Sequence, residues 1–300
     1  MSHRIYTVDV FTETPLAGNQ LAVVLDAQDI PAGVMQRIAK EMNISETTFV
    51  LPPDDPAHAA RIRIFTPGEE LPFAGHPTIG TAWVLATHVF VPGGALEFTL
   101  EEEIGPVPVR GVSGPSGLAF WMTHPQASFG EVFENRLDVT AAVGLTEHDL
   151  VAGAPIQVAK TGVPFLYVPL RDARSVDAAV PNPQQLRALF RGTPPLAAVI
   201  FASLGKNRLY TRMFAPHVSD ILEDPATGGA SGVLGAFAVK SGLVPRAPTV
   251  SIVSEQGTKM GRQSFINIEL DYGESPEIPT RIEIGGSVRP VISGTLEDFA

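Results

Sequence analysis

The chain has 300 residues, 44% of them hydrophobic, which is enough for two domains with a sizeable buried core. Its formal charge of −11 is spread along the sequence and argues against a nucleic-acid partner. The complete absence of cysteine excludes disulfides, thiolate metal sites and cysteine acid/base pairs. The N-terminus lacks a signal-peptide pattern and no window holds the roughly 20 apolar residues of a membrane span, so we expect a cytoplasmic protein without a membrane partner.

Short apolar or alternating runs predict strands along most of the chain. In chain order the predicted strands cover residues 5–11, 21–26, 47–51, 61–66, 95–100, 118–122, 164–170, 197–204, 208–214, 249–255, 264–270 and 281–286. Helices are predicted at residues 31–42, 77–88, 182–190 and 229–241. Because the few helices do not alternate regularly with the strands, the predicted fold class is α+β and not a doubly wound βαβ fold.

One pattern occurs twice, about half the chain length apart. The stretch RIRIFTP-G-EELPFAGHPTIG resembles RLYTRMFAP followed by LEDPATGGASG, and both contain the frame E-x-P-x-x-G. The repeat predicts two related halves, divided near residue 120 beside the Pro- and Gly-rich stretches GVSGPSG and THPQASFG, although a chance match of common residues is the alternative. The matching residues are Arg63, Phe65, Pro67, Glu70, Pro72 and Gly75, against Arg212, Phe214, Pro216, Glu223, Pro225 and Gly228.

In each copy the frame ends where an apolar helix begins. The first turn of a helix leaves backbone N–H groups unpaired, and Gly75 and Gly228 place no side chain in front of them. Pro77 suits the first helical position, and the helix dipole favours an anion there. The two turns therefore predict binding of a small carboxylated substrate between the two halves. The alternative is that each turn is only a helix N-cap.

Three titratable residues are candidates for catalysis: Glu46 in NISETTFV, His76 in GHP and Asp224 in EDP. Glu46 runs into an apolar strand, where burial would raise the pKa of a carboxyl group towards values useful for proton transfer. A surface acid before a strand is the alternative. His76 and Asp224 could cap the helix and the turn beside them, which is compatible with catalysis.

Other chemistries lack the residues that they need. The seven histidines are scattered and no HExxH occurs, so no metal is expected. The acidic triplet at 101–103 ends an apolar run, and we interpret it as a solvated strand end rather than a metal site. Neither a GxSxG frame nor a phosphate-binding glycine loop is present, which argues against a serine hydrolase or a nucleotide cofactor.

At these residues the sequence resembles the phenazine biosynthesis PhzF-like family, which has the diaminopimelate epimerase fold. The resemblance implies two pseudo-symmetric domains, each a curved, barrel-like, mostly antiparallel sheet around a central helix, with the active site between them and a homodimer as the assembly. It implies domains at 1–120 with 287–300, and at 121–286. The stretches that carry it are residues 8–27, 44–50, 64–82, 223–237, 255–264 and 282–296.

The resemblance also implies a cofactor-independent isomerase that moves a proton between carbons of a small carboxylated, cyclic unsaturated substrate of the dihydro-hydroxyanthranilate type. Glu46 would move the proton, while His76 and Asp224 would hold the substrate and assist the transfer. The further substrate-binding residues implied are Asn19, Gly75, Thr227, Gly228 and Gly229.

The resemblance leaves two alternative functions open, and the sequence departs from the family pattern at two positions. Epimerases of this fold use a pair of cysteines, and this chain has none, so an isomerase is favoured over a racemase or epimerase of a small acid. A non-catalytic binding protein is the second alternative, but it would gain little from a potential base. Gly229 stands where relatives carry serine, and Gln20 where they carry proline, so the substrate is not fixed by the resemblance.

Overall fold

The computed structural model describes residues 2–89, 96–191, 197–216, 222–273 and 277–297. The chain folds into two compact units, Met1–Thr123 with Gly285–Ala300, and His124–Ile284. No helix in the described parts of the chain is long and apolar enough to cross a membrane.

The described part of the first unit contains two α-helices, eight strands and the end of a ninth, β17 (Arg281–Leu296). Its helices are α1 (Ala32–Met42) and α2 (Gly75–Val84). Its strands are β1 (His3–Val10), β2 (Asn19–Val24), β3 (Glu46–Leu51), β4 (Ala60–Phe65), β5 (Glu70–Leu71), β6 (Glu97–Glu102), β7 (Gly105–Gly114) and β8 (Gly117–Thr123).

The strands of the first unit close into a barrel. They pair in the order β1, β2, β3, β4, β6, β7, β8, and β17 joins β8 to β1, with Val288 opposite Val10 and Leu296 opposite His3. From β1 to β8, the β2–β3 and β4–β6 pairs are parallel and the other four pairs are antiparallel. All ten residues of α2 are buried, and this helix contacts β1, β2, β3, β7 and β8. Its apolar surface on all sides is what a helix enclosed by a sheet requires.

The second unit contains four described α-helices and eight described strands, together with the start of β17. Its helices are α3 (Arg136–Ala142), α4 (Ala173–Ala178), α5 (Pro183–Leu189) and α6 (Gly228–Lys240). Its strands are β9 (Ser128–Val132), β10 (Gln157–Lys160), β11 (Pro164–Pro169), β12 (Ala197–Gly205), β13 (Arg208–Phe214), β14 (Glu223–Asp224), β15 (Thr249–Gln256) and β16 (Ser264–Asp271).

The second unit repeats the strand connectivity of the first. The pairs β10–β11, β11–β12, β12–β13, β13–β15 and β15–β16 run antiparallel, parallel, antiparallel, parallel and antiparallel, as do the pairs from β1–β2 to β6–β7. The buried helix α6 occupies the place of α2 in this order and contacts β10, β11 and β16. This shared order supports the duplication inferred from the sequence.

The α+β class with mostly antiparallel strands is confirmed, but several local predictions were wrong. The helix predicted at 77–88 starts at Gly75, and its last turn, Leu85–Val89, is π-helical. The stretch GVSGPSG is not a break between halves, because it forms the tip of the β7–β8 hairpin, with Gly114 opposite Gly117. The ten-residue strand β7 was missed, as were the shorter elements α3, α4, β5, β9, β10 and β14. Residue 95 of one predicted strand and residues 298–300 lie outside the described residues.

Candidate active site

Three segments of the first unit begin close together and carry the predicted site residues. Strands β2 and β3 are parallel, with Leu21 beside Glu46, so their N-terminal ends are neighbours. Helix α2 begins at Gly75, and its second residue, His76, contacts both strand ends. The structure therefore brings Asn19, Glu46 and His76 into one cluster.

The backbone entering each strand explains these positions. Gly18 has φ +71°, and a Cβ atom there would lie 2.4 Å from the Val10 carbonyl oxygen, so only glycine fits before Asn19. Helix α1 ends at Asn43 in the left-handed conformation, with its N–H donating to the Ala39 carbonyl. The helix ends there, and the chain continues into β3, whose first residue is Glu46.

His76 is buried, and its contacts define its tautomer. Its Nδ1 lies 3.2 Å from the Asn19 Nδ2, which can only donate, so Nδ1 accepts. The other nitrogen, Nε2, carries the hydrogen and lies 3.2 Å from the Gln20 carbonyl oxygen. Burial lowers the pKa of His76 to about 3, opposed by the hydrogen bond to Gln20. The ring is therefore neutral at pH 7.

Glu46 combines a protein contact with access to solvent. Its Oε2 lies 3.2 Å from the His76 Nε2, and its side chain is 16% exposed. A cationic imidazolium beside this carboxylate would hold it in the ionised form, whereas a neutral ring allows it to accept a proton and release it again. The pair therefore places a partly exposed carboxylate, which is suited to act as a general base, beside a neutral ring.

In the second unit a hydrogen-bonded turn holds Asp224. The Thr227 hydroxyl donates to the Asp224 Oδ2 over 2.6 Å. The buried Gln256 amide donates to the Asp224 carbonyl oxygen over 2.8 Å and accepts from the Thr227 N–H over 3.3 Å. Gly257 follows with φ +77°, and a Cβ atom there would lie 2.6 Å from the Pro225 carbonyl oxygen. Glycine is therefore required beside this turn.

Both buried helices begin without a side-chain cap. Ala74 is the N-cap of α2 and Thr227 is the N-cap of α6, and neither side chain makes a capping hydrogen bond. The Thr227 hydroxyl is used by Asp224 instead. Both helix starts therefore keep the polarity that favours an anion near their first N–H groups. At Gly229, in the first turn of α6, a Cβ atom would meet nothing within 4 Å.

The matching residues of the sequence repeat form the same brace in both units. Arg63 donates two hydrogen bonds to Glu70, both of 2.7 Å, and Arg212 donates two to Glu223, both of 2.8 Å. In the sheet, Phe65 is opposite Glu70 and Phe214 is opposite Glu223. Each arginine also lies over the phenylalanine two residues further on. The repeated frame is therefore a repeated structure and not a chance match.

Three residues near the helix starts were missed. Gln256 ties the Asp224 turn together, and His124 lies with its Nδ1 2.9 Å from the Thr161 hydroxyl, which donates over 3.5 Å to the Gly229 carbonyl. Burial lowers the pKa of His124 to about 4. The third is Glu102, and here the interpretation as a solvated strand end was wrong.

Glu102 is buried beside the start of α2. Leu100 and Glu102 are buried on the same face of β6, as the alternation of side chains along a strand requires. That alternation was the signal that could have identified Glu102. Its neighbour Glu101 instead accepts hydrogen bonds from the N–H groups of Asp54 and Asp55. Within the described ranges, no group of three or more His, Asp or Glu residues could hold a metal ion.

A barrel around a buried helix, with a carboxylate beside a neutral histidine at the helix start, is an arrangement suited to acid/base proton transfer. The chain belongs to the PhzC-PhzF family of phenazine biosynthesis-like proteins, whose model matches residues 8–294. The family and the isomerase class implied by the sequence resemblance are thus confirmed.

Three similar proteins illustrate this membership. The chain is 37% identical over 301 residues to an uncharacterized isomerase of Mesorhizobium japonicum, covering 96% of each chain. It is 34% identical over 292 residues to the trans-2,3-dihydro-3-hydroxyanthranilate isomerase of Pseudomonas fluorescens, covering 95% of this chain and 96% of that protein. A crystal structure of a Bacillus anthracis phenazine biosynthesis protein of the PhzF family matches with a TM-score of 0.87 and 25% identity, covering 99% of this chain and 100% of that one.

Proposed function

We propose that this protein isomerises trans-2,3-dihydro-3-hydroxyanthranilate, or a closely similar cyclic unsaturated carboxylate, without a cofactor. Three relatives named for that activity are 33% to 35% identical to this chain. The observation that carries the proposal is the contact of 3.2 Å between the partly exposed Glu46 carboxylate and the buried, neutral His76. This pair supplies the one base that the reaction needs.

In the proposed reaction Glu46 removes a proton from a carbon next to the conjugated double bonds. The electrons of the broken C–H bond form a new double bond, the existing double bonds shift, and the Glu46 carboxyl group returns the proton to another carbon. No atom is gained or lost, and no electron acceptor is required. A single base serves both steps when they occur on the same face, whereas a two-cysteine racemase mechanism lacks its residues in this chain.

We propose that the substrate carboxylate binds at a helix start and that Asp224 accepts a hydrogen bond from the substrate's amino group. The N–H groups at Gly75 and His76, or at Gly228 and Gly229, suit the carboxylate because helix polarity favours an anion there. Asp224 suits the amino group because its carboxylate oxygen is already oriented by Thr227. Asn19 contributes by orienting His76. By family resemblance we also propose that the protein works as a homodimer.

Proton transfer in D₂O tests the proposal. The protein is dialysed against EDTA, incubated with trans-2,3-dihydro-3-hydroxyanthranilate, and followed by ¹H NMR. We expect conversion of the substrate with deuterium bound to carbon. Glu46→Gln should lower the rate by about 10² to 10⁴, because it removes a positioned base while keeping the side-chain shape.

The matched control is Glu41→Gln, which neutralises an exposed carboxylate on α1 and should leave the rate unchanged. Exchange at the wild-type rate by Glu46→Gln would show that Glu46 is structural and that the base lies elsewhere. Loss of activity after EDTA treatment, restored by a divalent ion, would contradict the cofactor-free reaction.

A further inference from the structure

The proposed reaction leaves one buried acid without a role, and it lies against the start of α2. Glu102 is the last residue of β6 and is only 7% exposed. Its Oε1 is hydrogen-bonded to the Thr78 hydroxyl, and it faces the N–H of Ala74, the N-cap of α2. Its Oε2 is buried without a hydrogen-bond partner among the residues that the structure describes. The acid is therefore part of the turn that carries His76.

One arrangement of the hydrogen bonds in this turn requires a protonated acid. The Thr78 hydroxyl has one hydrogen, and its oxygen lies 2.7 Å from the Ala74 carbonyl oxygen. If the hydroxyl donates this hydrogen to the Ala74 carbonyl, it has none left to donate to Glu102. An ionised Glu102, which can only accept, would then face the Thr78 oxygen without a hydrogen bond. A protonated Glu102 instead donates to Thr78, and both hydrogen bonds are satisfied.

The surroundings of Glu102 act in the same direction. Burial raises its pKa to about 8, and this effect is larger than the lowering by hydrogen bonds that Thr78 and Ala74 would donate to an ionised carboxylate. No cation among the described residues forms an ion pair with Glu102, and on α2 the nearby His76 is neutral. The charged groups that share a cavity with Glu102 are paired with one another, apart from the exposed Glu103. These pairs are Arg63 with Glu70, His58 with Glu101, and Arg61 with Asp54.

We infer that Glu102 is a positioning residue, which holds the first turn of α2 as a neutral acid and weakens the binding of an anionic substrate when it ionises. The reason is that an ionised Glu102 would compete with the substrate carboxylate for the polarity of the same helix start. The inference rests on the proposed function for the nature of the anion. It assigns no contact between Glu102 and the reacting carbons.

Two measurements test this role, with Glu102→Gln as the variant and Glu101→Gln as the matched neighbour. The first is the free energy of unfolding in urea between pH 5 and pH 8.5. The folded state keeps Glu102 protonated while the unfolded chain ionises it above its ordinary pKa of 4.5. Stability that the neutral acid provides at low pH is therefore lost as pH rises towards 8. Relative to wild type, Glu102→Gln should become progressively more stable over this range, whereas Glu101→Gln should not.

The second measurement is the dissociation constant of 2-aminobenzoate, by calorimetry, between pH 6.5 and pH 9.5. In the wild type and Glu101→Gln it should rise about tenfold above pH 8, because the ionised Glu102 repels the carboxylate of the ligand. In Glu102→Gln it should stay constant. The binding measurement needs no turnover, so a protein that binds 2-aminobenzoate with this profile but isomerises nothing would contradict the proposed function alone.

Four results would overturn the inference. One is a stability difference between Glu102→Gln and wild type that does not change with pH. Another is the same pH profile of binding in both proteins. The third is absence of 2-aminobenzoate binding at every pH. If Glu102→Gln fails to fold at pH 7, where the neutral acid should be replaceable by an amide, the inference is also wrong.

Discussion

The two starts of the buried helices share a brace but carry different polar groups. In the first copy the frame reads E-L-P-F-A-G and is followed by His76; in the second it reads E-D-P-A-T-G and is followed by Gly229. The acid Asp224 thus replaces Leu71, and glycine replaces histidine. The duplicated frame preserves the helix start, while the side chains placed around it differ between the units.

The same contrast holds one strand away from each helix. In the first unit Thr47 is opposite Phe65, and in the second Ala198 is opposite Phe214. Because the two phenylalanines are equivalent in the repeat, the position of Glu46 corresponds to Ala197. At this pair of equivalent positions, the described residues therefore place a carboxylate beside a histidine in the first unit and not in the second. The second unit offers an acid in a hydrogen-bonded turn, which suits substrate binding.

The largest effect that we expect concerns the brace, which is more deeply buried in the second unit. The side chain of Arg212 is 8% exposed, against 24% for Arg63. Arg212 also donates to the carbonyl groups of Val176 and Ala179, over 3.1 and 2.8 Å. Arg212→Ala should lower the free energy of unfolding by about 3 to 5 kcal/mol, because the Glu223 carboxylate, only 17% exposed, and two buried carbonyl groups lose their partner. Arg63→Ala should cost about 1 kcal/mol or less.

Urea unfolding followed by circular dichroism measures both values. Arg212→Lys serves as an intermediate variant, because it keeps the charge but loses the double hydrogen bond to Glu223. Equal losses for the two alanine variants would show that the two braces are equivalent despite their different burial.

The next effect concerns the two polar groups that distinguish the helix starts. His76→Asn and Asp224→Asn should each lower kcat/KM by about 10- to 100-fold, the range for loss of a hydrogen bond to a charged group. His76→Asn should act mainly on kcat, because His76 contacts the proposed base. Asp224→Asn should act mainly on KM, because Asp224 is assigned to substrate binding. Steady-state kinetics separates the two.

The asparagine at position 224 can still accept from the Thr227 hydroxyl, so the turn itself should be kept. Circular dichroism of both variants provides the structural control. A wild-type KM in Asp224→Asn would show that Asp224 does not bind the substrate. The different side chains at the two helix starts would then not reflect a division between proton transfer and substrate binding.

The features that the sequence predicted are those set by neighbours in the chain. The repeated frame, the apolar helices after it and the small residues at their starts follow from local spacing, and the family resemblance selected Glu46 and His76. Their contact in space joins residues 30 positions apart and could not be predicted from spacing alone.

The residues that were missed either contact partners far away in the sequence or lie in a strand whose alternating pattern was overlooked. Gln256 reaches Asp224 across 32 positions, and His124 reaches Thr161 across 37. Glu102 was misread because a triplet of acids suggests solvent, although the alternation along β6 places the middle one inward. Charge composition was the wrong criterion where the strand already fixed the direction of the side chain.

The smallest effect concerns Gly229, where the family resemblance leads us to expect serine. A Cβ atom fits there without contact within 4 Å, and Gly229 has no positive φ, so a larger residue is tolerated. Gly229→Ser and Gly229→Ala should each stabilise the fold by about 0.5 kcal/mol, because glycine is a poor helix residue.

Only the serine hydroxyl can donate to a bound substrate, a hydrogen bond worth about 0.5 to 1.5 kcal/mol. If trans-2,3-dihydro-3-hydroxyanthranilate is the substrate, Gly229→Ser should therefore lower its KM by roughly 2- to 10-fold, while Gly229→Ala leaves it unchanged. The same KM in both variants would show that the missing hydroxyl does not determine specificity, and that the choice of substrate depends on other residues.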